Sequence, residues 1–116
     1  MLESYRDLTV WQRSTQMSLA IYRLTSEFPK AELFGLTNQV RRASVSVPSN
    51  IAEGYGRNST GEYKQFLGMA RGSNLEVQTQ LYLATQLGFG DQNQLKQAEG
   101  LSIEVERMLN SLIAKL

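Results

Sequence analysis

Apolar residues recur along this chain at intervals of three and four, the period of an amphipathic helix and not of a strand. Over residues 7–27, Val10, Met17, Ile21, Leu24 and the following Phe28 form one stripe, with Leu8, Trp11 and Tyr22 on a neighbouring one. Pro29 pushes Phe28 out of the helical region and predicts the stop. A second helix over 35–55 places Leu36, Val40, Ala43, Val47 and Ile51 in register as core. In "GYGRNSTGEYKQF", Gly54 and Gly56 permit left-handed termination, and Ser59 followed three residues later by Glu62 forms a capping box. The third helix, 60–88, reads with Phe66, Ala70, Ser73, Val77, Leu81, Ala84 and Gly88 on one face, widened by Tyr63, Leu67, Asn74 and Leu75. "LGFGDQNQ" ends it, with Gly88 or Gly90 past the helix end and Asp91 as the next N-cap. Over 91–115, Leu95, Ala98, Ser102, Val105, Leu109 and Leu112 keep the alternation without a slip, and Leu116 continues it. No stretch reads as a strand. The pattern predicts one all-α domain over residues 1–116, an antiparallel up-down-up-down four-helix bundle with short connections.

One residue conflicts with this pattern. Pro48 sits inside the second helix, where it removes a backbone donor and presses on the Ser44 carbonyl at a cost of about 3 kcal/mol. In one reading Pro48 kinks the helix, so that its core stripe and its polar side serve two surfaces. In the other the helix tolerates Pro48, with water or serine side chains satisfying the freed carbonyl.

Composition narrows the chemistry. The 116 residues contain no cysteine and no histidine, which removes thiolate nucleophiles, cysteine metal sites and the side chain that most often moves protons near neutral pH. Glu53, Glu62 and Glu76 do not replace them: di-metal bundles pair glutamates with histidines, Glu53 stands i, i+4 to Arg57, and Glu62 serves the cap. We therefore expect no enzyme activity, no catalytic residues, no metal and no cofactor. The glycines at 54, 56 and 61 follow a helix and lack the spacing of a nucleotide-binding fingerprint. Charges occupy the opening segment where a signal peptide would be apolar, and no apolar run is long enough to span a membrane. The expectation is a cytoplasmic protein with no membrane contact.

Formal net charge is +1, but the charges are unevenly placed. Arg41, Arg42, Arg57, Lys64 and Arg71 make the middle basic, and Glu76, Asp91, Glu99, Glu104 and Glu106 make the remainder acidic. On the second helix Asn38, Arg42, Ser46, Ser49, Glu53 and Arg57 form a continuous polar ridge. Such a ridge is either a solvated outer face or, with Arg41, Lys64, Arg71, Tyr55 and Tyr63, a surface for phosphates and stacked bases. Leu8, Trp11, Tyr22, Val45, Tyr55, Tyr82 and Phe89 fall off the main stripes, which points either to self-association or to a wide core stripe with aromatic edges. Cyclic assembly would repeat a few cations into a band.

At "FPKAELFGLTNQVRRASVSVPSNIAEGYGR" and "EYKQFLGMARGSNLEVQTQLYLATQLGF", with the opening "YRDLTVWQRS", the chain resembles the four-helix-bundle proteins encoded in intervening sequences of bacterial large-subunit ribosomal RNA genes. The resemblance covers roughly residues 5–90. It implies a homopentameric ring similar to the accessory subunit of diversity-generating retroelements, which binds nucleic acid and a reverse transcriptase. By matching position it marks Arg41, Arg42, Asn50, Glu53, Gly54, Arg57, Arg71, Gly72 and Glu76, and it brings no catalytic residue. The expected function is a non-enzymatic oligomeric scaffold. It would bind RNA or DNA through Arg41, Arg42, Arg57, Lys64 and Arg71, with Asn50, Glu53, Gly54 and Glu76 as a structural polar motif. Expected partners are further copies of itself, RNA or DNA, and a nucleic-acid-processing protein. The alternative is a purely protein–protein assembly module.

Overall fold

A computed structural model describes residues 2–116, which form helices α1 (Thr9–Thr25), α2 (Leu36–Tyr55), α3 (Thr60–Leu87) and α4 (Gln92–Lys115), with single 3-10 turns at Tyr5–Asp7 and Lys30–Glu32. No strand occurs among the described residues. Helix α1 is shorter than its apolar pattern at both ends. A Ser4–Asp7 capping box closes the first 3-10 turn ahead of it, and residues 26–29 turn away after Thr25. Each helix packs on two neighbours, α1 on α2 and α4, and α3 on α2 and α4. The molecule measures 43 × 23 × 21 Å, and the 28 residues of α3 span its whole long axis at 1.5 Å per residue.

The predicted stripe of α2 is buried throughout: Leu36, Val40, Ala43, Val47 and Ile51 meet Met17, Ile21 and Leu24 of α1 in a single core. The α4 stripe is buried from Leu95 to Leu109, after which Leu112 is half-buried and Leu116 exposed. Helix α3 departs from expectation by a rotation. Its buried line is Leu67, Ala70, Asn74, Val77, Leu81 and Ala84, while Phe66 and Ser73 are half-buried and Leu75 and Gly88 exposed. The cause lies in α3 itself, whose outward side is nearly as apolar as its inward side, so periodicity alone does not select one stripe.

Ser59 and Asp91 form N-caps, each accepting a backbone N–H from the residue three ahead, but the expected Ser59 capping box is only half made: Glu62 Oε1 accepts from the Ser59 hydroxyl at 3.2 Å instead of from its backbone N–H. Gly88 (φ +75°) and Gly90 (φ +79°) both adopt the left-handed conformation that ends α3. Gly54 and Gly56 do not: neither has positive φ, and Gly56 ends α2 at φ −81°. Gly54 is required for space, since a Cβ there would lie 2.7 Å from the Phe66 Cβ of α3.

Pro48 is buried, and α2 runs helically from Leu36 to Tyr55 through it. The Ser44 carbonyl, which loses its helical donor to the proline, accepts a 2.8 Å hydrogen bond from the Ser18 hydroxyl of α1. Compensation for the freed carbonyl therefore comes from a serine of a neighbouring helix. Other seams carry comparable contacts. Ser73 donates to Ser46 between α3 and α2 (3.0 Å), and Asn74 and Ser102 bond reciprocally between α3 and α4 (2.8 Å each). Between α1 and α4, Arg13 Nε lies 3.1 Å from Glu104 Oε1. That N–H points off the oxygen, leaving an ion pair without a hydrogen bond.

Candidate interaction site

Successive residues on an α-helix project about 100° apart, so the adjacent Arg41 and Arg42 of α2 face different seams. Arg41 turns to α1, where its Nε donates to Thr25 Oγ1 at 2.8 Å and its guanidinium lies 4.6 Å from the centre of the Tyr22 ring. Arg42 is exposed and lines the groove between α2 and α3. Arg57, at the end of α2, has Nη2 3.0 Å from Glu53 Oε1 and Nη1 3.9 Å from Glu62 Oε2, with its guanidinium 4.6 Å from the Phe66 ring centre. Arg71 turns to α4 and donates to Asn110 Oδ1 at 3.1 Å. Lys64 is exposed on the first turns of α3 and forms no ion pair among the described residues.

One protomer therefore does not gather the five predicted cations. They lie on the α1/α2 seam, in the α2/α3 groove, at the α2–α3 turn, on α3 and on the α3/α4 seam. Arg57 is also largely neutralised by its two glutamates, although pairs this exposed are worth less than about 1 kcal/mol each.

The four polar-motif residues separate in the same way. Asn50 donates to the Ser46 carbonyl and hydroxyl (2.8 and 2.9 Å), which holds Ser46 against Ser73 of α3. Gly54 admits Phe66 and Tyr63, Glu53 pairs with Arg57, and Glu76 faces the α2/α3 groove. Asn50 and Gly54 thus serve helix packing, while Glu53 and Glu76 lie on the surface.

The α2/α3 groove is a predominantly polar concavity. It is an open trough of about 420 Å³ lined by Asn38, Arg42, Ser46, Ser73, Glu76 and Gln80, among others. The α2 half of its lining is the first part of the predicted ridge. The α3 half was not anticipated beyond Glu76, although Ser73, Glu76 and Gln80 at i, i+3 and i+7 are the helical spacing that would reveal it. Gln80 is 8% exposed, and its Oε1 has no hydrogen-bond partner. Arg42 and Glu76 face this groove without an ion pair between them.

Near the α2–α3 turn, Tyr55 and Tyr63 meet edge-on, with ring centres 6.2 Å apart. Burial raises the Tyr63 phenol above its ordinary value of 10.0, and the neighbouring Tyr55 phenol adds to the shift. Of the apolar residues outside the main stripes, Leu8 is buried, and Trp11, Tyr55 and Phe89 are half-buried. Tyr22, Val45 and Tyr82 remain exposed. Among the described residues no three acidic side chains gather as a metal site, and no helix is long and apolar enough to cross a membrane.

Four helices around one apolar core, with hydrogen-bonded seams and a polar trough on the outside, define a small all-α bundle protein. The family model for 23S rRNA-intervening sequence proteins matches residues 6–111, and the chain belongs to that family. It is also similar to a crystal structure of a protein of unknown function from the S23 ribosomal protein family of Bacteroides thetaiotaomicron. The TM-score is 0.81, at 21% identity over 90% of this chain and 98% of that one. Identity this low establishes a shared fold alone. No curated protein matches the chain.

Proposed function

We propose that the protein is a non-enzymatic scaffold of up-down-up-down helices that self-associates in the cytoplasm as a ring, and that it contacts RNA or DNA only as an assembly. Opposite sequence order across the α2/α3 seam, where Gly54 meets Phe66 and Ser46 meets Ser73, supports the antiparallel course. The observation that carries self-association is the apolar surface left in water, with Leu19 57% exposed, Tyr82 61% and Leu87 59%. A protomer whose cations lie on separate seams offers no phosphate cradle, whereas cyclic repetition aligns Arg42 and Lys64 of successive copies into a band. A pentamer is the ring size that the family resemblance implies.

The second reading, an assembly module that binds only protein, draws support from Arg57 bound to Glu53 and Glu62 and from Glu76 sharing the groove with Arg42. Light scattering of the purified protein, with and without structured RNA, separates the two. The first reading expects an oligomer at micromolar concentration that shifts RNA at low salt. Log affinity then falls with log salt at about −0.7 per phosphate contact on single strands, and Arg42→Ala flattens the slope. An oligomer that leaves RNA unshifted establishes the second reading, and a monomer rejects both.

A further inference from the structure

We propose that the hollow between the end of α1 and the start of α2 binds a small apolar carboxylate, an organic acid with a compact hydrocarbon or aromatic body. The chain turns away from α1 after Thr25 and re-enters the bundle at Leu36, and between these points it encloses about 350 Å³. Phe28, Pro29 and Leu33 make the lining predominantly apolar; Phe28 is anchored in the core and Leu33 is 50% exposed. Apolar walls of this kind take up the body of a ligand, and a few placed polar groups fix its orientation. The charged side chains in the lining are Lys30 and Arg41, both cations, and neither forms an ion pair among the described residues. Glu32, the acid of the same turn, accepts from the Leu36 N–H at 3.1 Å and does not line the hollow.

Arg41 is held in place before any ligand arrives. The Thr25 hydroxyl donates to the Ile21 carbonyl at 2.7 Å and accepts from Arg41 Nε at 2.8 Å, and the guanidinium lies over the Tyr22 ring, 4.6 Å from its centre. These contacts use Nε alone; Nη1 and Nη2 make no hydrogen bond and no ion pair among the described residues. The fork left free is the end-on pair of Nη groups, which matches the two oxygens of a carboxylate. Because the side chain is already ordered, little rotamer freedom is lost when it takes an anion. Thr37 stands one turn before Arg41 on the same face of α2. It lines the hollow, is 3% exposed, and its hydroxyl makes no hydrogen bond among the described residues. An unpartnered hydroxyl on so buried a residue is costly, and a carboxylate on the Arg41 fork supplies the missing acceptor. Packing of the bundle accounts for Arg41 Nε, and not for the free fork or the unused hydroxyl.

The walls decide which anion fits. An inorganic phosphate is close to doubly charged near neutral pH and holds its water strongly, so apolar walls penalise it. A carboxylate on an apolar body carries one charge, and its hydrocarbon part gains from the contact with Phe28, Pro29 and Leu33. Thr37 also lies in the first turn of α2, whose Gly35 N-cap provides no side-chain acceptor, so the positive end of the helix adds to the field of the two cations. The site is separate from the nucleic-acid contact proposed above, which uses Arg42 and Lys64.

The test uses 3-phenylpropionate, titrated into isotope-labelled protein and followed by backbone amide chemical shifts. Saturable shifts centred on residues 25–41 are expected. Two further probes separate charge from body: 3-phenylpropanamide lacks the charge, acetate lacks the body, and each is expected to bind about tenfold or more weakly than the acid. Inorganic phosphate is expected to bind more weakly than the acid as well. Thr37→Val is the informative variant. Its hydroxyl has no partner to lose, so the thermal midpoint is expected to stay at or above that of wild type while affinity for 3-phenylpropionate falls about threefold or more. Arg41→Gln is expected to abolish the preference for the acid over its amide, and Thr37→Val carries the test if Arg41→Gln does not fold. No shift at residues 25–41 with millimolar 3-phenylpropionate overturns the proposal. So does equal binding of the acid and any one of the three other probes, or wild-type affinity in Thr37→Val.

Discussion

The α1/α2 and α3/α4 seams each contain a polar contact in the apolar interior, and they differ in origin. At the α3/α4 seam, Asn74 and Ser102 are both fully buried and satisfy only each other: Asn74 Nδ2 donates to the Ser102 carbonyl and Ser102 Oγ donates to Asn74 Oδ1. At the α1/α2 seam, Ser18 answers a backbone defect created by Pro48. The first contact could be replaced as a whole by apolar side chains without stranding a backbone group, because the Ser102 carbonyl lies inside α4. The second could not, because the Ser44 carbonyl remains unpaired as long as the proline is present. A buried polar contact thus holds a seam for one of two reasons, and substitution distinguishes them.

The largest effect is expected at the α3/α4 pair. Asn74→Ala removes both hydrogen bonds and opens a cavity in a fully buried position, at a cost of about 2–4 kcal/mol in urea unfolding. Ser102→Ala strands Asn74 Oδ1 and costs about 1–3 kcal/mol. The double replacement Asn74→Leu with Ser102→Ala is expected to be less destabilising than Asn74→Ala alone. If the double variant is the least stable of the three, the pair is not replaceable as a unit and the contrast between the seams fails.

The next effect belongs to Ser18. Ser18→Ala leaves the buried Ser44 carbonyl without a donor and is expected to cost about 1–3 kcal/mol. In a Pro48→Ala background residue 48 regains an N–H for that carbonyl, and the same substitution is expected to cost less than about 0.5 kcal/mol. The coupling, about 1 kcal/mol or more, is the quantity to measure in a double-mutant cycle. Equal costs in the two backgrounds would show that the serine does not act on the proline.

Why sequence reading located some of these features and missed others has a physical basis. Helix α2 carries an apolar stripe on one side and polar residues on the other, so its five core positions were legible from spacing alone. Helix α3 is apolar on two sides, so the same reasoning placed Phe66 and Ser73 at the centre, where the structure has Leu67 and Asn74. The proline was legible as a problem, but its answer lies on another helix, 30 residues before it in the sequence, and no local pattern points to Ser18. Arg41 and Arg42 read as one patch because adjacency in sequence is not adjacency on a helix. Gly54 read as a terminator, and its close approach to Phe66 depends on how two helices pack.

A third seam contact grades the comparison. Ser73 donates to the Ser46 hydroxyl at 3.0 Å between α3 and α2, and both serines are half-buried at the edge of the groove. Water can take the place of a lost partner there, and Asn50 still bonds Ser46 at 2.9 Å. Ser73→Ala is therefore expected to cost about 0.5–1 kcal/mol, below the fully buried Asn74–Ser102 contact and below the Ser18 bond, whose acceptor Ser44 is fully buried. A cost matching that of Ser102→Ala would show that burial does not set the scale.

The smallest effect concerns a polar atom with no such partner. Tyr63 lies half-buried against Tyr55, and its hydroxyl makes no hydrogen bond among the described residues. Burial raises its pKa above 10.0 in the fold, with a further contribution from the Tyr55 phenol, so the folded state holds this proton more tightly than the unfolded chain. The associated stability is present below about pH 10 and is lost as pH rises from the unfolded value through the higher folded one. In Tyr63→Phe that part of the alkaline decline is expected to vanish, while stability near neutral pH stays close to wild type because no hydrogen bond is broken. Tyr55→Phe removes only the secondary cause and is expected to soften the decline without abolishing it. Thermal unfolding of the three proteins from pH 8 to 11 gives the ordering, and indistinguishable slopes for wild type and Tyr63→Phe would show that this phenol is not held protonated by its surroundings.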